Sequence, residues 1–250
     1  MVSTGKKEAV LEFRGVTKRF GDTVAVNALR LSVHEGEIYG LIGPNGAGKT
    51  TTVKMAAGLY RPTTGTVRVA GIDMSGEPTK AKAHLGYVPD DPSAYDRLSG
   101  REFLQFIGEI RGMDRDARDA RIEALLDEYH IRGLADGAFG AYSRGSKQKI
   151  SFIAALLHQP AVLLVDEPMV GLDPESARIT MRLLTEYAHG GGAVLLSTHS
   201  LGVAEEICHR FGLLKEGKLM MEGTAADLAA RAGTGGSLEK SYLTLTGAAS

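Results

Sequence analysis

Gly43-Pro44-Asn45-Gly46-Ala47-Gly48-Lys49-Thr50 constrains this chain more than any other stretch. It satisfies the pattern G-x-x-x-x-G-K-[ST] at every fixed position. Glycines let a backbone curl until several N–H groups converge on one point, which then attracts an anion. A following helix adds its positive N-terminus. Lys49 is a point charge able to reach the β- and γ-phosphates of a nucleotide, and the Thr50 hydroxyl suits Mg²⁺. The flanks fit: residues 36–42 read as an apolar strand, and 51–58 as a helix. The candidate nucleotide-binding set is therefore Gly43, Pro44, Asn45, Gly46, Ala47, Gly48, Lys49, Thr50 and Thr51. The bland alternative is a Gly-rich turn before a helix, which the strand–loop–helix setting argues against.

The bulk numbers permit an ordinary folded protein. There are 250 residues, 43% hydrophobic and 24% charged, enough for one large domain with or without an insertion. A formal net charge of −1 supplies no global basic field for nucleic acid or an acidic membrane. Cys208 is the single cysteine, so no internal disulfide forms, and a buried inert thiol is expected there. The N-terminus has no apolar core for a signal peptide. The longest uncharged stretch, 150–165, is interrupted by His158, Gln159 and Pro160 and is too short to span a bilayer. These features predict a cytoplasmic protein, reaching a membrane only through another chain.

Residues 9–14 and 24–33 read as strands of an opening sheet, and Thr64 to Val69 alternates as a half-buried strand does. His84 to Val88 is a further short strand. Phe103, Ile107 and Ile110 then repeat at helical spacing, as do Ile122, Leu125, Leu126 and Tyr129. After Pro160 strands return near 162–165, 193–197 and 211–214, with helices near 174–188 and 201–209 between them. The first two of these strands are fully apolar, as in a parallel sheet covered on both faces. The pattern predicts an α/β core interrupted by a mostly helical insertion at about 91–157. The stretch from Ala232 to Ser237 has linker composition, and 232–250 reads as a flexible linker with a short tail.

Val162-Leu163-Leu164-Val165-Asp166-Glu167 ends an apolar strand in two acids, 117 residues after Lys49. A buried strand ending in carboxylates can set a Mg²⁺-associated acid beside the phosphates. Tyr142-Ser143-Arg144-Gly145-Ser146-Lys147-Gln148-Lys149-Ile150 resembles an L-S-G-G-Q signature followed by a basic-Gln-basic run, keeping its Ser and second Gly. Gly171-Leu172-Asp173-Pro174 resembles a D-loop, and Ser197-Thr198-His199-Ser200 a switch-histidine segment. With these pieces in this order, residues 10–231 resemble the ATP-binding subunit of an ABC (ATP-binding cassette) transporter.

The resemblance implies a P-loop NTPase core of α/β class with an antiparallel β subdomain and an inserted α-helical subdomain, together spanning 9–231. It implies ATP and Mg²⁺ as ligands, with Thr50, Asp166 and Asp90 as candidate metal ligands. It implies Glu167 as the base for attacking water, His199 as the γ-phosphate contact, and Phe20 as the aromatic that stacks on adenine. A second cassette is implied head to tail, its ATP meeting Ser143 and Gly145, with Asp173 communicating across the pair. It also implies a separate transmembrane permease, docked between the Asp90 loop and the helical insertion. The cassette would then sit peripherally on the cytoplasmic face of the membrane.

Two departures from the family pattern stand out. Asp90 occupies a usual Gln position, so it accepts hydrogen bonds where Gln also donates. Arg144 and Ser146 replace a Gly and a Gln of the signature. The Asp90, Tyr95-Asp96-Arg97-Leu98, Arg101-Glu102-Phe103-Leu104 and 238–247 segments resemble the ABC-2 subgroup and point to export. A competing reading is a soluble ABC ATPase acting on nucleic acid or ribosomes. The single cassette, the absence of a long heptad run and the lack of net positive charge argue against it. A P-loop kinase or GTPase leaves the signature and His199 unexplained.

Overall fold

A computed structural model describes residues 8–92, 97–233 and 238–246. Tyr95 and Asp96, the Thr234–Ser237 part of the tail and Gly247 lie outside the described residues.

The central strands form where apolar runs have no polar face. β1 (Ala9–Phe20) and β2 (Thr23–His34) make a long hairpin closed at Gly21 and Asp22, and β3 (Ile38–Ile42) follows. Helix α1 (Lys49–Ala56) starts inside the glycine-rich loop. Next come β4 (Thr64–Val69), β5 (Ile72–Asp73), α2 (Pro78–Ala83) and β6 (Leu85–Val88). The 91–157 region carries α3 (Gly100–Ile110), α4 (Arg115–Glu128) and α5 (Arg144–Leu156). The remainder alternates β7 (Val162–Asp166), α6 (Pro174–His189), β8 (Ala193–Thr198), α7 (Leu201–Ile207), β9 (Arg210–Lys215) and β10 (Lys218–Gly223). The described chain ends with α8 (Ala225–Ala232) and α9 (Leu238–Thr246).

Two sheets result. One is antiparallel, in the order β2-β1-β4-β5; the other runs β10-β9-β3-β8-β7-β6, parallel from β9 to β6 with β10 antiparallel at its edge. Successive residues of β7 show why both faces must be covered. Val162 and Leu164 join the core beneath the antiparallel sheet and α1, whereas Leu163 and Val165 join the core formed with α3, α4, α5 and α6. Burial of each such side chain contributes about 1.5–3 kcal/mol. A strand with one polar face could not occupy this position.

α3 begins with a reciprocal cap, Ser99 accepting from Glu102 N while Glu102 accepts from Ser99 N. On its apolar face Leu104 is buried, but Ile110 is exposed, so the spacing of Phe103, Ile107 and Ile110 overstates that face. α4 matches its spacing: Ile122, Leu125, Leu126 and the adjacent Tyr129 are all buried.

Beyond the linker-like stretch the short tail is helical over Leu238–Thr246. Leu238 and Ser241 are buried, and Leu238 joins Ile42, Phe211, Leu213, Ala204 and Leu228 in a third core. Leu238 N donates to Glu205 Oε1 at 3.2 Å, which ties α9 to α7. Glycine-rich composition upstream says nothing about whether a following apolar stripe finds a surface. Cys208 likewise lies one residue past α7 rather than within it, half-buried against Gly40, with burial pushing its thiol pKa up.

Candidate active site

The loop between β3 and α1 is packed too closely for side chains at two of its glycines. A Cβ on Gly43 would lie 2.2 Å from the Leu214 carbonyl, and one on Gly48 would lie 2.4 Å from the Ala25 carbonyl. Gly48 also holds φ 105°, a conformation that favours glycine. These contacts fasten the loop to β9 and β2 and set its shape before any ligand arrives.

Lys49 is buried at the start of α1. Its Nζ donates to the Gly43 carbonyl at 2.8 Å and the Pro44 carbonyl at 3.2 Å, and lies 3.8 Å from Glu167 Oε1. Desolvation lowers its pKa, against the opposing pull of Glu167 and Asp166. An ammonium held by carbonyls on a curled loop is ready to exchange them for phosphate oxygens.

Asp166 ends β7, fully buried. Thr50 Oγ1 donates to its Oδ1 at 3.2 Å, and Ser197 Oγ donates to the same oxygen. Burial raises its pKa, with the Ser197 and Thr50 hydrogen bonds working the other way. Its second oxygen, Oδ2, is buried with no hydrogen-bond partner.

Glu167 comes next, at φ 49°, a left-handed conformation that costs a non-glycine residue on the order of 1 kcal/mol. The turn is held by Glu167 N donating to the Ser197 carbonyl at 2.9 Å. It aims the carboxylate back over the loop, where Oε2 meets His199 Nδ1 at 2.9 Å and His199 N at 3.4 Å. Lys49, Glu167 and His199 therefore form one chain of contacts, with β3, β7 and β8 adjacent in the sheet and ending on the same side.

Phe20 closes the β1 hairpin and is 44% exposed. Its ring meets Tyr60 edge to face at a centroid distance of 5.3 Å, and Lys18 Nζ lies 4.9 Å from its centroid. A solvent-facing aromatic supported from one side is suited to stacking a planar base.

The signature residues form a separate group. Ser143 caps α5, accepting from Ser146 N at 3.2 Å, and Gly145 sits in the first turn. Lys149 Nζ lies 3.4 Å from Asp173 Oδ2. Asp173 itself caps α6, and donation from the Ser176 hydroxyl and N–H holds its carboxyl well below the usual range. Asp90 faces Arg144, accepting from Nη2 at 3.0 Å on Oδ1 and at 3.2 Å on its carbonyl. The structure thus brings Lys49, Thr50, Asp166, Glu167 and His199 together and gives Ser143, Gly145 and Asp173 their own cluster. Asp90 is turned toward that second cluster.

Against this geometry stand the known proteins. The family model described as ABC transporter matches residues 26–170. The chain belongs to the ABC transporter family.

The cassette is 38% identical over 215 residues to the Nod factor export ATP-binding protein I of Burkholderia lata, covering 86% of this chain and 71% of that protein. It is 33% identical over 224 residues to the linearmycin resistance ATP-binding protein LnrL of Bacillus subtilis, covering 90% and 72%. Over 224 residues it is also 37% identical to the Escherichia coli protein named "Probable multidrug ABC transporter ATP-binding protein YbhF"; there it covers 90% of this chain but spans only 39% of the relative's length. A solved ATP-binding subunit of an ABC transporter superposes with a TM-score of 0.91 at 31% identity, covering 95% of this chain and 99% of that one. An ATP-binding cassette solved as a dimer in a post-hydrolysis state with ADP and Pi superposes at 0.79 and 25% identity, covering 86% and 98%. The fold is that of an ABC ATPase, and the cassette is an ATP-binding ATPase domain.

Several contacts at the site were not legible in the motifs. Ser197 supplies the second hydroxyl on Asp166, and Tyr60 backs Phe20. Ser197 was visible as part of the switch segment, but nothing in sequence spacing pairs it with a residue 31 positions earlier. Tyr60 lies just past the α1 helix with no motif of its own.

Proposed function

We propose that this cassette hydrolyses ATP to drive export through a separately encoded transmembrane partner. The observation that carries the catalytic part is the contact chain Lys49–Glu167–His199 beside the phosphate loop. The names of the relatives, multidrug, Nod factor export and linearmycin resistance, support the export part.

In this reading the γ-phosphate lies between Lys49 and His199. Lys49 leaves the Gly43 and Pro44 carbonyls for phosphate oxygens, and the loop N–H groups stabilise charge on the transferring group. Glu167 accepts the proton of the attacking water as the bond between the γ-phosphorus and the bridging oxygen breaks. His199 contacts the γ-phosphate and keeps Glu167 in place. Thr50 and the unpartnered Asp166 Oδ2 fit a magnesium ion, directly or through its water, as expected for an ion held by one or two protein groups plus phosphates. That ion, when bound, neutralises charge on the β- and γ-phosphates. Asp90 Oδ1 pairs with Arg144 in this structure, and its charge also acts on Asp166.

The site is completed by a second cassette, this chain or a related one. Ser143 and the N-terminal turn of α5 would then face the γ-phosphate across the dimer, as suits a helix N-terminus. Nothing in the site favours a nucleic-acid substrate. Among the described residues no helix is long and apolar enough to cross a membrane. In this reading the spanning segments belong to the permease. The cassette then works on the cytoplasmic face, touching the permease beside the Asp90 loop.

Two measurements test the proposal. Glu167→Gln is expected to retain ATP binding and lower turnover by at least about tenfold; unchanged turnover rules Glu167 out as the base. Affinity capture of the tagged chain from detergent-solubilised membranes is expected to recover a stoichiometric multi-spanning protein. Recovery only from the cytosol, with ribosomes or DNA-bound factors, overturns the transport reading and leaves the ATPase standing.

A further inference from the structure

Arg144 departs from the family signature, and its side chain has a definite use. Instead of extending from the exposed start of α5, it folds back within its own chain. Nη2 donates to both Asp90 Oδ1, at 3.0 Å, and the Asp90 carbonyl, at 3.2 Å. Its methylenes lie across Gly171, where a Cβ would come within 3.2 Å of Arg144 Cδ. The neighbouring residue is closer still: a Cβ on Gly145 would lie 2.6 Å from the Gly171 carbonyl. One turn on, Gln148 Nε2 donates to the Pro89 carbonyl at 3.4 Å, and Lys149 Nζ reaches Asp173 Oδ2 at 3.4 Å. The first two turns of α5 are thereby held between the Asp90 loop, which extends β6, and the Gly171–Asp173 loop, which extends β7.

We propose that Arg144 and Asp90, two of the residues that depart from the family pattern, form a cis clamp that fixes where the signature helix points. Arg144 is then a positioning residue, acting through Ser143 and Gly145 on the ATP of a facing cassette. The inference rests on the dimeric reading above. Both side chains are about half exposed, 50% and 48%, so the pair contributes little to folding stability and mainly sets direction. An uncommitted Arg at this position would instead act in trans, by its charge on the facing phosphates. The two roles separate cleanly, because a clamp tolerates exchange of its charges and a trans contact does not.

The experiment uses the full chain carrying Glu167→Gln, in which slowed hydrolysis is expected to accumulate the ATP-bound dimer, with sedimentation measured against protein concentration at saturating MgATP. Asp90→Arg and Arg144→Asp are each expected to weaken ATP-driven dimerisation by about tenfold, and the doubly exchanged chain to return within about threefold of the parent, a span typical of coupled contacting residues. A double variant as weak as the singles, or singles indistinguishable from the parent, overturns the clamp. If either reversal prevents folding, as judged by melting, the neutral set Asp90→Asn, Arg144→Gln and their combination is read instead. Non-additive losses there support the clamp and additive losses overturn it. A parent that binds labelled ATP but does not dimerise defeats the dimeric reading itself, and that result is distinct from failure of the clamp alone.

Discussion

The molecule carries two clusters of motif residues built in opposite ways. Around Lys49, the phosphate loop is locked by glycine contacts to β2 and β9, Asp166 is fully buried, and Glu167 is held in a left-handed turn. Around Ser143, most groups are exposed and joined by ion pairs, the half-exposed Arg144 to Asp90 and the largely covered Lys149 to the exposed Asp173. The buried half needs no second molecule to set its geometry. The exposed half has a shaped helix start but no enclosed space of its own. In the proposed dimer this cluster would be the wall left in solvent before the second cassette arrives, and surface pairs can set its direction while adding little to folding stability.

The sharpest way to break this contrast is at its buried end. Lys49→Ala is expected to lower kcat/KM for ATP by about 10²–10³, the loss typical for removing one preorganised stabiliser of transition-state charge; steady-state kinetics with purified chain checks it. At the exposed end, Gly145→Ala pushes a methyl against the Gly171 carbonyl. It is expected to weaken ATP-driven dimerisation by about tenfold, more than it weakens nucleotide affinity of the isolated chain, which sedimentation and labelled-nucleotide titration compare. Equal losses would mean the two halves are not separable.

Phe20→Ala tests a third, peripheral element. Loss of one base-stacking ring is expected to weaken ATP binding about tenfold, and Phe20→Tyr to restore it. The smallest effect lies far from the nucleotide, at the foot of α5. There His158 Nε2 donates to the Leu85 carbonyl at 3.0 Å while Nδ1 is buried without a partner. Burial, and then the nearby Arg111 charge, lower its pKa from 6.5 to about 4. Between those values the unfolded chain binds more protons than the folded one, so this contribution is complete above about pH 6.5 and is lost as pH falls toward 4. Melting temperature is expected to fall less steeply across that window in His158→Gln than in the parent. Parallel slopes would show that His158 titrates normally.

Much of the cluster around Lys49 was legible because its residues follow apolar strand runs. The loop pattern marked Gly43 to Thr51, a strand ending in two acids marked Asp166 with Glu167, and resemblance to the family marked His199. The alternation of Val162 to Val165 between two cores was legible in the same way. Other features depended on surroundings that sequence does not state. α9 found an apolar surface on α7 and α8 that nothing within 238–246 names. Arg144 could be read as reaching outward, and it folds back to Asp90. Ile110 carried helical spacing and remained in solvent.

The sequence alone determined the phosphate loop, the acids that follow β7 and the order of strands and helices, because each is set by backbone propensity and side-chain character over a few neighbouring residues. Only the tertiary structure decided that Ser197 shares Asp166 with Thr50, that Glu167 joins Lys49 to His199, and that Asp90 serves Arg144. Those contacts join residues 31 to 118 positions apart. Such pairings arise from which strands lie side by side and which loops emerge at the same edge, and no short-range pattern encodes them.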